Sequence, residues 1–156
     1  SNNHEEIMNR DKLTGVYNRA VLEKFQNDKR GTGKVTAIYM VDINKFKTIN
    51  DTYGHGRGDK VLIDVAKILT TSVRQSDYII RYGGDEFLII ARINDAINLN
   101  VIPEKIKKNL DLYNSRHKIQ VGLSIGSSIY NPDKNNLSKM LAKADQKMYK
   151  NKNRTN

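Results

Sequence analysis

The sequence predicts an α/β (α+β) domain, with a mixed central sheet surrounded by helices. Three observations carry that expectation. Apolar, β-branched runs at 34–43, 77–82 and 86–92 have the length and composition of buried strands. Stretches at 59–73 and 137–150 repeat apolar residues at helical spacing. Strand-like and helix-like segments alternate along the chain, with no internal repeat and no low-complexity linker.

Each element has its own signal. Residues 4–10 (HEEIMNR) read as a short polar, helix-compatible lead-in. Residues 18–29 carry Ala20, Val21, Leu22 and Phe25 on an amphipathic helix capped by Asn18. KVTAIYMVDI (34–43) is a buried strand that ends in an acid, Asp42. The next stretch, NKFKTINDTYGHGRGDK, reads as a glycine-rich loop leading into a helix over 59–73. That helix sets Leu62, Val65, Ala66, Leu69 and Val73 on one face. Gly83-Gly84 turns a hairpin between 77–82 and 86–92. Pro103 opens a helix over 103–113, with Ile106 and Leu110 inward. Residues 119–130 alternate as a strand that Gly122 and Gly126 weaken or kink. The last helix, 137–150, spaces Leu137, Leu141, Ala144 and Met148 along one face.

Composition narrows the chemistry. A length of 156 residues suits one domain with one core. Cysteine is absent, which excludes disulfides, thiolate metal sites and a cysteine nucleophile. No apolar run approaches membrane-spanning length, and no secretory signal is visible. The chain opens Ser1-Asn2-Asn3, as expected of a processed or excised fragment. Lys and Arg number 27 against 17 Asp and Glu, a formal charge of +10. Such an excess favours anionic partners, although here it is dispersed and also fits a lysine-rich solvated surface.

Three carboxylates stand at the ends of apolar strands: Asp42, Asp85 and Glu86. Taken alone, Asp85-Glu86 read as solvated turn acids. If the strands are neighbours, the acids meet, and such a density of hard oxygen ligands suits Mg²⁺ or Mn²⁺ with a triphosphate. Two such ions can activate a hydroxyl and clamp the leaving oxygen of a phosphoryl displacement. The glycines and lysines of the loop after Asp42 suit phosphate as well as a turn, but the Gly-Lys-Ser/Thr ending of a P-loop is missing.

Four motifs resemble the GGDEF-domain family, the diguanylate cyclases. Arg81-Tyr82-Gly83-Gly84-Asp85-Glu86-Phe87 resembles the family signature. Asp11-Lys12-Leu13-Thr14-Gly15-Val16-Tyr17-Asn18-Arg19 resembles its opening motif. Val41-Asp42-Ile43-Asn44-Lys45-Phe46-Lys47, with Asn50 to Asp59, resembles its substrate loop, and Ala144-Asp145 through Lys152 its last helix. The likeness runs over 11–152 in order, so 11–156 is expected to be the catalytic domain and 1–10 the stub of a linker helix.

The resemblance implies a palm-like, nucleotidyl-cyclase fold with the signature on the β-hairpin. It implies condensation of two GTP into cyclic di-GMP with release of two pyrophosphates. Asp42, Asp85 and Glu86 would be the catalytic acids. Asp42 and Asp85 would hold metal, as two Mg²⁺ or Mn²⁺ ions, with the Ile43 carbonyl assisting. Glu86 would bind metal or deprotonate the attacking 3′-hydroxyl. Phe46, Lys47 and Lys152 match positions at the GTP phosphates, and Gly84 one where backbone approaches the nucleotide. Asn50 and Asp59 match guanine readers: a carboxylate accepts from N1–H and N2–H of guanine and confronts the bare N1 of adenine. Asp59 also suits the N-terminal end of a helix. Arg74 and Asp77, with the five residues 78–82 between Asp77 and Gly83, match an inhibitory product site, with Arg81 as a further contact.

Partners follow from the same resemblance. They are GTP, cyclic di-GMP as product and inhibitor, a transient homodimer, and an N-terminal sensor or dimerisation domain outside this chain; nucleic acid is not expected. A cytoplasmic location is implied, with a parent protein that can be membrane-anchored. The alternative is a module that binds GTP or cyclic di-GMP without turnover. Two departures stand out. Asn44 replaces an acid common in the family two residues after Asp42. Asn153-Arg154-Thr155-Asn156 puts the arginine that often follows the last helix out of register.

Overall fold

The computed structural model describes residues 9–26 and 35–155. Most of the lead-in expected over 4–10, and the end of the helix expected over 18–29, lie outside these residues. Asn18 accepts a hydrogen bond from Ala20 N–H (2.9 Å) and starts a 3₁₀ turn, Arg19–Val21, that leads into the short helix α1, Leu22–Gln26. The remaining elements are β1 (Val35–Ile43), α2 (Phe46–Tyr53), α3 (His55–Thr71), β2 (Tyr78–Arg81), β3 (Glu86–Ile93), α4 (Val101–Arg116), β4 (Leu123–Tyr130) and α5 (Leu137–Thr155).

The sheet order is β2-β3-β1-β4, and all three ladders are antiparallel. This corrects the expected mixed sheet. Strands β1 and β2 run the same way, but β3 is inserted between them; β3 and β4 run the same way, with β1 between them. Each helical crossover skips a position, and the skipped position takes a strand of opposite direction. The result is the split β-α-β-β-α-β arrangement. A parallel bridge between Tyr17 and Ile80 extends the outer edge of β2.

Strand β1 is central and covered on both faces, which is why its sequence is a continuous apolar run. Its odd-numbered residues Tyr39, Val41 and Ile43 join Phe87 and Ile89, and Val61, Val65 and Leu69 of α3 with Ile102 and Ile106 of α4 cover them. Its even-numbered residues Ile38 and Met40 join Leu88 and Ile90 under Ala144 and Met148 of α5. By the same alternation Asp42 and Glu86 fall on the α5 face.

Strand β4 turns small residues toward α5: Ser124, Gly126 and Ser128 are buried. A Cβ on Gly126 would overlap Met148 N and Ala144 O and stand 2.8 Å from the Lys147 carbonyl carbon. The helix therefore lies backbone against backbone on this strand. Ser128 Oγ donates to the Met140 carbonyl (2.6 Å), and Asn151 Nδ2 donates to that of Ile125 (2.6 Å). These contacts fix the helix that carries Asp145 and Lys152. Among the described residues no helix is long and apolar enough to cross a membrane.

Candidate active site

The antiparallel register sets Asp42 opposite Glu86, and Ile43 N–H donates to the Asp85 carbonyl (3.1 Å). The acids of β1 and of the hairpin therefore do meet. Asp42 is buried at 6% exposure. Its Oδ2 accepts from Lys152 Nζ at 2.6 Å, while its Oδ1 is buried without a partner. A buried carboxylate oxygen without a donor is costly and calls for one.

The neighbouring acids are under the same pressure. Burial, followed by the charge of Asp42, pushes the Asp85 carboxyl up, with Lys152 opposing. Burial also pushes Glu86 up, and Asp42, Asp145 and Asp85 add to it. The bond to Asp42 raises Lys152 and keeps it an ammonium. Among the described residues no three His, Asp or Glu side chains close on one point at metal-holding geometry. The donor set nonetheless fits a hard divalent cation: one orphaned carboxylate oxygen, with two acids whose charge their surroundings oppose.

The turn is braced from outside the hairpin. Tyr82 and Gly83 N–H both point at the Glu86 carbonyl (2.8 and 3.2 Å). Arg81 donates to the Gly84 carbonyl (2.9 Å) and to both oxygens of Asp11 (3.3 Å each). Asp11 also accepts from the N–H and hydroxyl of Thr14 (2.9 and 2.6 Å). Gly84 is exposed, and a Cβ there would meet open space. Nothing inside the described chain requires glycine at that position.

A second cluster lies beyond β1. Lys45 adopts φ 54° and turns the chain into α2. Gly54, at φ 91°, separates α2 from α3 with only glycine's freedom. A Cβ on Gly58 would overlap Asn50 Oδ1, so the Asn50 carboxamide packs directly over α3. Asn50 thus lies over the first turns of the helix that carries Asp59, while Phe46 is half-buried against the core and Lys47 is exposed. The stretch 46–53, expected as loop, is a polar helix that buries Ile49.

The family model described as "Diguanylate cyclase, GGDEF domain" matches residues 8–156. The chain belongs to the GGDEF-domain family. It is 37% identical over 153 residues to diguanylate cyclase A of Treponema denticola, covering 94% of this chain and 41% of that protein. It is 32% identical to the bifunctional diguanylate cyclase/cyclic di-GMP phosphodiesterase MucR of Pseudomonas aeruginosa, covering 94% of this chain and 21% of that protein. The chain thus spans less than half the length of these two relatives. Among solved structures, diguanylate cyclase SiaD from Pseudomonas aeruginosa, in complex with its activator SiaC, superposes with a TM-score of 0.86 at 26% identity, over 97% of this chain and 61% of that one. The isolated GGDEF domain of TpbB (YfiN) from the same organism gives 0.82 at 29% identity, over 93% and 89%.

In this GGDEF domain Arg74 and Asp77 form a compact turn between α3 and β2. Arg74 N–H donates to Asp77 Oδ2 (2.9 Å), and Asp77 N–H returns to the Arg74 carbonyl (3.0 Å). Both line a cavity of about 260 Å³, shared with Arg92, Asn98 and Lys105. The structure does not bring Arg81 there. It ends β2 where Asp77 precedes it, about 13 Å away at strand rise, and is committed to Asp11 and Gly84.

Sequence reasoning missed Arg92 and Lys105, because only the fold brings β3 and α4 to this turn. It also left Asp145 without a role, although that residue belongs to the motif on the last helix. Asn44 accepts from Ser124 Oγ (2.6 Å), so the residue at the family's second acid position ties β1 to β4.

Proposed function

We propose that this domain is a diguanylate cyclase, joining two GTP molecules into cyclic di-GMP. In each of two equivalent steps the 3′-hydroxyl oxygen of one GTP bonds to the α-phosphorus of the other. The bond from that phosphorus to the bridging oxygen breaks, and pyrophosphate leaves. The hydroxyl proton goes to Glu86 or to water.

The observation that carries this reading is the buried, unpartnered Asp42 Oδ1 beside Asp85, Glu86 and Lys152. Asp42, Asp85, Glu86 and the Ile43 carbonyl would hold Mg²⁺ or Mn²⁺, two ions when fully loaded. When bound, the metal supplies positive charge where phosphoryl transfer builds negative charge.

The protein's own groups do the rest. Lys152, Lys47 and the backbone near Phe46 and Gly84 receive phosphates. An open approach at Gly84 supports close contact between backbone and nucleotide. Asn50 and Asp59 read guanine, and an adenine presented to Asp59 would leave acceptor facing acceptor. A raised carboxyl at Glu86 suits a proton acceptor better than an ordinary one.

Each subunit binds one GTP, so turnover needs two subunits face to face, brought together by an N-terminal partner domain. Cyclic di-GMP inhibits through Arg74 and Asp77, with the cations Arg92 and Lys105 of the same cavity assisting. A microbial GGDEF domain 26% identical to this chain was solved for its interaction with cyclic di-GMP, with a TM-score of 0.78 over 96% of this chain and 93% of that one.

The test is incubation at high protein concentration with GTP and Mg²⁺, resolving products by chromatography beside Glu86→Gln. We expect cyclic di-GMP from the parent chain, at a rate rising steeply with protein concentration, and none from the variant. Bound GTP with no product under any condition would leave a binding module instead.

A further inference from the structure

We propose that Lys152 is an exchangeable counter-cation: it neutralises Asp42 while the site is empty and gives that carboxylate up when a divalent cation and a triphosphate arrive together. The second half of this exchange, the phosphate partner, rests on the GTP reading above.

The two members of the pair differ in kind. Asp42 sits on the central strand, 9% exposed at its side chain, held by β3 on one side and β4 on the other. Its backbone cannot move without breaking the sheet. Lys152 comes from the last turn of α5 with a side chain 23% exposed, on four rotatable bonds. Its ammonium is the mobile member. Its charge also reaches Asp85 and Glu86, so this one cation serves the whole acid cluster.

Lysine is nevertheless an incomplete solution. It satisfies Oδ2 of Asp42 and leaves Oδ1 buried and without a donor. A divalent cation carries twice the charge, but metal alone must displace an ammonium that sits 2.6 Å from the carboxylate it neutralises. A metal accompanied by a triphosphate offers the displaced ammonium a new oxygen ligand.

Metal and nucleotide are therefore coupled through Lys152. By linkage, each raises the affinity of the other by the same factor. The bare site would hold metal poorly and the nucleotide-loaded site would hold it well. This is a role beyond phosphate binding, because it acts when no phosphate is present.

The experiment is Mn²⁺ binding without nucleotide, followed by electron paramagnetic resonance of free Mn²⁺, on the parent chain, Lys152→Met, Lys152→Gln and Asp42→Asn. Removal of the competing cation is expected to tighten Mn²⁺ by about 5-fold or more, the lower end of typical coupling. Asp42→Asn is expected to abolish the tight site. Thermal unfolding in EDTA gives a second readout: Lys152→Met melts below the parent, and added Mn²⁺ raises its midpoint more than the parent's. Should one lysine variant fail to fold, the other carries the comparison.

Mn²⁺ affinity equal to or weaker than the parent's in a folded Lys152 variant overturns the exchange, as does no Mn²⁺ uptake by any of the proteins. Neither GTP nor turnover enters the measurement. A chain that makes no cyclic di-GMP but shows the tightened Mn²⁺ site would refute the cyclase reading and leave the exchange standing.

Discussion

Gly58→Ala separates the proposed base pocket from the fold. Gly58 is buried in helix α3 with ordinary helical backbone, so alanine fits the chain itself. The new methyl would overlap Asn50 Oδ1 and stand 2.9 Å from Asn50 Cγ. Non-bonded carbons prefer about 3.5–4.0 Å, so the carboxamide must shift by roughly 1 Å or rotate away.

Two stability terms then oppose each other. Alanine in place of glycine inside a helix stabilises by about 1 kcal/mol. Holding Asn50 off its preferred rotamer costs about 0.5–1.5 kcal/mol. The net change lies within about 1 kcal/mol, and the melting midpoint moves by no more than about 2–4 °C.

The guanine recognition proposed for Asn50 has no such offset. A displaced carboxamide leaves a base edge unpaired, at about 1–3 kcal/mol. That corresponds to roughly a 5- to 150-fold rise in KM for GTP. The assay is a thermal melt alongside a GTP titration of cyclase activity. A folded variant with an unchanged KM would refute the placement of Asn50 over α3 as part of the pocket. Failure to fold would refute the energetic argument.

Three further outcomes are expected. Gly126→Ala drives a methyl into the backbone of α5, which cannot rotate aside; we expect a loss of about 1–3 kcal/mol, read as a lower urea midpoint. Asp85→Asn and Glu86→Gln remove carboxylates raised above their ordinary values of 3.8 and 4.5, so each should stabilise the metal-free fold at neutral pH. For a raised acid the cost of ionisation is absent below its ordinary value and grows as pH climbs through the folded value. The advantage of both variants should therefore shrink as melts are taken toward pH 4, and an advantage independent of pH would contradict the assignment. Arg74→Ala should leave the initial rate unchanged and abolish the slowing of turnover as cyclic di-GMP accumulates, seen in progress curves with added product.

The strands were legible because burial on both faces writes itself as apolar runs. Helix α2 was not, because FKTINDTY buries only Ile49 and is otherwise polar. Strand β4 begins at Leu123, four residues later than the alternation suggests. Val121 pairs its N–H and carbonyl with the side chain of Asn114 (2.9 Å each), a substitute for a neighbouring strand that no local pattern reveals. Sheet direction failed for a topological reason, since a helical crossover fixes relative direction but not which strand fills the gap. At the site, the acids, and Asn50 and Asp59, could be named from their match to the family motifs. The Lys152–Asp42 pair, the Arg81 brace and the cations around Arg74 could not, because each joins residues brought together only by tertiary structure.

The 110 positions between Asp42 and Lys152 set an order of assembly during synthesis. A ribosome adding about 5–20 residues each second takes roughly 5–20 s to pass from one to the other. Throughout that interval Asp42, and from their own synthesis onward Asp85 and Glu86, exist without Lys152, and one face of the sheet lacks the helix that covers it. Because Gly126 admits α5 only at backbone distance, the helix must dock fully to deliver Lys152. A half-made chain can therefore present the glycine turn without being able to neutralise its acids, and only a molecule translated through α5 completes the acid cluster.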